Sequence, residues 1–141
     1  LILALLRYEG IEFVLISPEE LKLPSYNKNA MDEAGAKWIE TASLEYALPE
    51  LDVLYMTRVQ KERFFNEEDY VRLKDTYILD EQKLESAKVD LVIMHPLPRV
   101  NEISVEVDND PRAKYFDQVK NGRYVRMALI LMLLGIEGGL R

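Results

Sequence analysis

Short apolar runs alternate with helical patterns along this chain. Phe13-Val14-Leu15-Ile16, bounded by Gly10 and by Ser17-Pro18, predicts a buried strand. Ser25 to Ala34 predicts a helix, and Gly35 suits a left-handed residue closing it. Lys37 to Glu40 predicts a short strand. Ser43 is an N-cap candidate for the next helix, with Pro49 just beyond that helix's end. Asp52 to Met56 predicts another strand. Asn66, followed by Glu67, Glu68 and Asp69, predicts a capped helix start whose acidic first turn matches the helix dipole, and Asp80 to Lys88 repeats the pattern. Leu91 to Met94 predicts a strand ending at His95-Pro96. Arg123 to Leu134 predicts a long apolar helix closed by Gly135 and then by Gly138-Gly139. The apolar start, Leu1 to Leu6, has no cap, no basic leader and no cleavage site. It reads as a helix lacking its first turns rather than as a signal peptide.

Strands separated by helices of this length imply crossover units and parallel pairing. Apolar runs without strict alternation imply a sheet covered on both faces. The expected fold is α/β: a three-layer Rossmann-like domain, 1–141, with a parallel sheet covered by helices on both faces. Ligands in such sheets bind beyond the carboxyl ends of the strands. The residues directly after each strand are therefore the candidates for function.

Composition narrows the classes. The chain has 141 residues, 48% of them apolar, which suits one folded domain rather than a disordered segment. Eighteen Lys and Arg against 25 Asp and Glu give a net charge of −7, which argues against a general nucleic-acid surface. There is no cysteine and one histidine, so Cys-ligated zinc, thiol catalysis and a His-rich metal site are excluded. No apolar run reaches the roughly 20 residues of a membrane span. The expected location is cytoplasmic.

Two strand ends carry the candidate chemistry. After Met56 comes Thr57-Arg58-Val59-Gln60-Lys61-Glu62-Arg63-Phe64. Arg58, Lys61 and Arg63 concentrate positive charge, and Glu62 can hold one guanidinium in place. A guanidinium fork matches a carboxylate bidentately. Gln60 adds an amide that both donates and accepts. The competing reading is a solvated charged turn. After Met94 comes His95-Pro96-Leu97-Pro98-Arg99-Val100-Asn101-Glu102. Its two prolines remove two backbone donors, fix the chain direction and leave the Pro96 and Leu97 carbonyls without a ladder partner. The competing reading is a rigid structural turn with His95 as a satisfied local hydrogen-bonding group.

Together these segments resemble the aspartate carbamoyltransferase family. Leu54 to Phe64 resembles one motif of its aspartate-binding domain and Met94 to Ile103 resembles a second. Asp110 to Phe116, Asn121-Gly122 through Arg126-Met127-Ala128-Leu129, Ile16-Ser17-Pro18 and Leu21 to Pro24 extend the resemblance over essentially the whole chain. The resemblance implies transfer of a carbamoyl group from carbamoyl phosphate to the amine of L-aspartate in pyrimidine synthesis, with no metal or organic cofactor. It implies that Arg58 clamps an aspartate carboxylate, Gln60 orients the substrate, and Glu62 pairs with Arg58. Arg63 would steady a closing loop from Phe64 to Asp75. The Pro96 and Leu97 carbonyls would meet the reacting groups, next to a cis bond between Leu97 and Pro98. Thr57, His95 and Arg99 would support them. The implied partners are a preceding carbamoyl-phosphate-binding domain of the same chain, further copies forming a homotrimer, and regulatory chains in some assemblies. The preceding domain is not in this sequence, so the chain is expected to be a piece that is inactive alone.

Three alternatives differ in their signatures. An ornithine carbamoyltransferase would be expected to carry Cys at position 96 and a Ser-Met-Gly type segment after the earlier strand. A non-catalytic domain of a larger pyrimidine-pathway polypeptide would not need Arg58, Gln60, Glu62 and Arg63 together. A nucleotide-binding domain would need a glycine-rich phosphate loop, which is missing. Trp38 and the eight tyrosines read as packing residues, Tyr115 and Phe116 as an anchor, and Asp108-Asn109-Asp110 as a solvated turn.

Overall fold

The computed structural model describes residues 1–58, 68 and 77–136. These residues form two compact units. The first contains Leu1–Glu50 and Tyr77; the second contains Leu51–Arg58 and the residues from Ile78 onward.

In the first unit, helix α1 (Ile2–Leu5) precedes strand β1 (Glu12–Ile16). A 3-10 turn (Glu19–Leu21) and helix α2 (Ser25–Glu33) then lead to strand β2 (Lys37–Thr41). The strands pair in parallel from Glu12↔Lys37 to Ile16↔Thr41. Parallel pairing needs a crossover of a dozen or more residues, and α2 lies within it. Gly35 ends α2 at φ 66. Its N–H reaches the Asp32 carbonyl at 3.0 Å, and the Ala36 N–H reaches that of Met31 at 2.9 Å. This is the paired closure that favours glycine in the left-handed position. Helix α3 (Leu44–Ala47) is capped by Ser43, whose hydroxyl accepts the Tyr46 N–H at 3.1 Å. Phe13, Met31, Leu44, Ala47 and Leu48 form the unit's apolar core, and Pro18 is buried as well.

The second unit contains strands β3 (Val53–Tyr55) and β4 (Val92–Met94), paired in parallel as Val53↔Val92, Leu54↔Ile93 and Tyr55↔Met94. Helix α4 (Glu81–Leu84) starts at Asp80, whose carboxylate accepts the Lys83 N–H at 2.8 Å. This helix is shorter than the expected Asp80 to Lys88. Ile93 also bridges Ala113, so it has a neighbouring segment on each side. A second bridge joins Leu79 to Ile103. Leu54, Met56, Leu79, Leu84, Leu91, Ile93, Ile103, Val107 and Tyr115 form the core.

Helix α5 (Tyr115–Leu133) starts earlier than the expected Arg123. Its first turns are mostly polar and include Gly122, which hides their helical character in the sequence. Several tyrosines also depart from expectation: Tyr8, Tyr26 and Tyr46 are exposed, whereas Tyr115 is fully buried. Of the expected aromatic anchor, Phe116 is exposed and stacks edge-on against Tyr115. The helix expected at Asn66 lies outside the described residues. Among those described, no helix is long and apolar enough to cross a membrane.

Asp108 and Asp110 are not the solvated turn expected from their acidity. Asp108 lies within a 3-10 turn (Val105–Asn109) and Asp110 caps its end, and an arginine takes each carboxylate. Arg112 grips Asp110 through Nε at 2.9 Å and Nη2 at 2.7 Å. Its remaining terminal nitrogen donates to the carbonyls of Leu84 at 3.0 Å and Lys88 at 3.2 Å. These carbonyls also accept the Ala87 and Leu91 N–H groups, at 3.3 and 3.2 Å, so Arg112 adds a charged second donor to each near the end of α4.

The Arg112 hydrogen bonds hold the Asp110 carboxyl below its ordinary value, against the opposing effect of burial. The folded chain therefore binds fewer protons than the unfolded chain in the acid range. The resulting stabilisation is present above about pH 4 and is lost as the pH falls through the lowered folded value. Asp110→Asn is expected to lower the unfolding midpoint at about pH 6 and to flatten its decline towards about pH 3. Thermal unfolding across that range checks this, and an unchanged acid slope would contradict it.

Candidate functional site

The carboxyl ends of β3 and β4 lie side by side in the second unit. The Met56 N–H donates to the Met94 carbonyl at 2.8 Å, one step beyond the last strand pair. Both segments leave the sheet directly after this contact. Thr57 and Arg58 are exposed on one side of it. His95, Pro96, Leu97, Pro98 and Arg99 follow on the other. Gln60, Lys61, Glu62, Arg63 and the loop expected to follow them lie outside the described residues.

The 95–99 segment has an unusual backbone. Leu97-Pro98 is a cis bond, as the resemblance implies, and Leu97 has φ 48. A side-chain-bearing residue rarely adopts that left-handed region, and such conformations persist only where the surroundings enforce them. Pro96 and Pro98 are exposed, and Leu97 is half-buried between them.

His95 is buried, with 1% of its surface exposed, and both its ring nitrogens are engaged. Nδ1 accepts the Leu97 N–H at 2.8 Å, so the ring proton must sit on Nε2. Nε2 donates to Glu102 Oε1 at 2.7 Å. Glu102 is buried as well, and its other oxygen accepts the Val100 N–H at 3.0 Å and the Asn101 N–H at 3.1 Å. Burial pushes this carboxyl up, but the backbone donors and His95 together outweigh it and leave it below its ordinary value. Glu102 therefore stays ionised at neutral pH.

Two further supports, Gln118 and the Asp108 that holds the expected Arg99, have no counterpart among the site residues singled out in the sequence. Gln118, on α5, accepts the His95 backbone N–H at 2.9 Å and donates to the Tyr55 hydroxyl at 3.3 Å. It thereby links the ends of both strands. Arg99 is held by Asp108, with Nη2 at 2.6 Å from Oδ2 and Nη1 on the other oxygen. The Tyr115 hydroxyl also donates to Asp108 and accepts from Arg99 at 3.2 Å. Burial, reinforced by Asp108, pushes the Tyr115 pKa up to about 12, so the phenol remains a neutral donor. Arg99 thus acts as a strut for the loop, with its fork already filled by a carboxylate. Neither support has a local signature. A glutamine in the polar start of a helix looks like any surface residue, and Asp108 lies nine positions from Arg99.

Among the described residues, the ends of β3 and β4 place the exposed Arg58 beside a proline-flanked loop. Such an arrangement can clamp a carboxylate and offer backbone carbonyls to an amine. Among the described residues, no cluster of His, Cys, Asp and Glu could hold a metal ion. A shallow cavity of about 280 Å³ is formed by first-unit residues, Gly10, Phe13 and Lys37 among them, and contains none of the candidate side chains.

Tyr115→Phe keeps the buried ring and removes the hydroxyl that joins Asp108 to Arg99. The expected loss is about 1.5–3 kcal/mol, as for hydrogen bonds to charged groups. Chemical denaturation measures it, and a loss under about 0.5 kcal/mol would show that the Arg99–Asp108 pair holds without the phenol.

The family model for the aspartate/ornithine carbamoyltransferase Asp/Orn-binding domain matches residues 1–133. The aspartate carbamoyltransferase catalytic subunit of Lachnoclostridium phytofermentans is 62% identical over 137 residues, which cover 96% of this chain and 45% of the relative. That of Finegoldia magna is 61% identical, covering 97% and 45%. The chain thus spans less than half the length of these relatives. Among solved structures, the catalytic subunit of M. jannaschii aspartate transcarbamoylase superposes with a TM-score of 0.86 at 39% identity, over 98% of this chain and 44% of that one. Aspartate transcarbamoylase from Trypanosoma cruzi, solved with carbamoyl phosphate and aspartate, gives 0.77 at 33% identity, over 89% and 42%. The matched residues include both strand ends and the loop between Met94 and Ile103, and the chain belongs to the aspartate/ornithine carbamoyltransferase family, whose Asp/Orn-binding domain it carries.

Proposed function

We propose that this chain is the aspartate-binding part of an aspartate carbamoyltransferase catalytic chain. The observation that carries this reading is the side-by-side exit of Thr57-Arg58 and His95–Arg99 from adjacent parallel strands. The described parts of the two segments that carry the resemblance thereby leave the sheet side by side, which supports this reading. In the proposed reaction the amine of L-aspartate attacks the carbamoyl carbon of carbamoyl phosphate. The carbon–oxygen bond to phosphate breaks, the amine gives up a proton, and N-carbamoyl-aspartate and phosphate leave. The step belongs to de novo pyrimidine synthesis.

Arg58 clamps an aspartate carboxylate in this reading, and Gln60 orients the same molecule. Glu62 holds the Arg58 fork and Arg63 steadies the loop that follows. Thr57 supports Arg58 at the strand end. The Pro96 and Leu97 carbonyls, beside Pro98, accept hydrogen bonds from the aspartate amine and the carbamoyl amide. Catalysis here is mainly positioning, with charge stabilisation of the tetrahedral centre. A cationic clamp favours a dicarboxylate and repels the side-chain amine of ornithine. Pro96 cannot supply the thiol expected of an ornithine enzyme at that position.

The remaining features follow from the same proposal. The sheets form part of a three-layer Rossmann-like domain spanning 1–141, with helices on both faces. Carbamoyl phosphate is held by an N-terminal domain of the full-length chain, and the intact chains form a cytoplasmic homotrimer to which regulatory chains can add. The share of its relatives that this chain covers supports the need for that second domain. The 141-residue chain alone is therefore expected to produce no N-carbamoyl-aspartate.

Calorimetric titration with L-aspartate and L-ornithine tests the substrate assignment. Saturable binding of aspartate and none of ornithine is expected. Arg58→Ala should weaken aspartate binding by roughly 10- to 100-fold, the usual loss for a charge-assisted contact. Binding of ornithine instead would overturn the assignment. Aspartate binding untouched by Arg58→Ala would remove Arg58 from the site.

A further inference from the structure

The buried His95 and Glu102 are not needed as acids, bases or clamps in the proposed reaction. Their geometry is nevertheless specific. Two backbone N–H groups fill one oxygen of Glu102, at 3.0 and 3.1 Å, leaving the other to receive the His95 Nε2 proton at 2.7 Å. That bond fixes the imidazole tautomer. Nδ1 is consequently left with a lone pair, directed at the Leu97 N–H 2.8 Å away. Leu97 is the left-handed residue whose carbonyl, in the proposed function, meets the reacting groups. A backbone N–H in a half-buried turn needs an acceptor, and here it has a side-chain nitrogen whose protonation state is set by a neighbouring carboxylate.

We propose that His95 and Glu102 are a positioning pair: Glu102 holds the ring proton on Nε2 so that Nδ1 can anchor the Leu97 amide and set the Leu97 carbonyl towards the substrate. The inference rests on the proposed function for what Leu97 meets, but the anchoring itself can be measured without substrate. His95 acts through Leu97 and Glu102 acts through His95.

Two substitutions separate positioning from general support. His95→Asn puts an amide oxygen near the place of Nδ1, so it keeps an acceptor for Leu97 but cannot reach Glu102. His95→Gln puts an amide N–H near the place of Nε2, so it serves Glu102 but leaves Leu97 without an acceptor. A purely structural role would favour Gln, because Gln keeps the buried carboxylate satisfied. Positioning favours Asn. Glu102→Gln gives a third, nearly isosteric test. Its oxygen can still accept from Val100 and Asn101, which turns its NH₂ towards Nε2. The ring proton must then move to Nδ1, where it opposes the Leu97 N–H.

The experiment is NMR of the 141-residue chain, in which His95 is the single histidine and gives an unambiguous imidazole spectrum. Wild type should show a protonated Nε2 and a bare Nδ1, and Glu102→Gln should reverse that pattern. Leu97 amide exchange should stay within about threefold of wild type in His95→Asn and rise by roughly tenfold or more in His95→Gln. Aspartate affinity should follow the same order. A wild-type ring protonated on Nδ1 would overturn the proposal whether or not the variants fold. So would equal Leu97 exchange in the Asn and Gln variants, or the reverse order. If wild type does not bind aspartate while Leu97 exchange follows the predicted order, the positioning pair stands and the substrate reading falls.

Discussion

The last rung between β3 and β4, the Met56 N–H on the Met94 carbonyl, sets where both strands leave the sheet. Parallel strands place their carboxyl ends at the same edge, and this rung brings the ends to the same level. Thr57-Arg58 and the His95–Arg99 loop therefore start as neighbours although nearly forty residues separate them in sequence. A register slip of one residue would turn every side chain of one strand to the opposite face. The buried Leu54 and Ile93, paired across the two strands, oppose such a slip, because either would have to exchange places with a more exposed neighbour.

Beyond that rung, polar contacts replace the sheet as the source of order. Gln118 ties the His95 amide to Tyr55, Glu102 and His95 anchor Leu97, and Asp108 with Tyr115 fills the fork of Arg99. Apart from the exposed Tyr55, these groups are half-buried or buried, so an unmade bond would leave a desolvated polar atom. That penalty, more than the strength of any one bond, keeps a side-chain-bearing residue in the left-handed region at Leu97. Among the described residues, the exposed Arg58 stands beside this scaffold, on the neighbouring strand end. A rigid loop next to a charged fork is the arrangement expected when recognition depends on pre-set geometry.

Local signals are legible in the sequence. The strands expected from Phe13, Lys37, Asp52 and Leu91, which start at Glu12, Lys37, Val53 and Val92, the left-handed Gly35 and the Ser43 cap each depend on residues a few positions apart. The start of α5 was missed because its first turns are polar and contain Gly122. Asp108 and Asp110 looked solvated because acidity was visible in the sequence, while their pairing with Arg99 and Arg112 depends on the turn's geometry. The choice between a structural and a functional His95 was open in the sequence, and Glu102 was visible only as the end of a motif. The burial that makes the two a pair comes from tertiary packing. Gln118 had no signal at all. Gln60, Glu62 and Arg63 were legible as a charged cluster, but they lie outside the described residues.

In the proposed reading the two strand ends bind one amino acid together. Isotope-edited intermolecular NOEs between 13C-labelled L-aspartate and the 141-residue chain show whether they do. Contacts from one aspartate molecule to both the Arg58 side chain and Leu97 or Pro98 are the predicted result. Contacts confined to first-unit residues, such as those around Gly10 and Lys37, would contradict it.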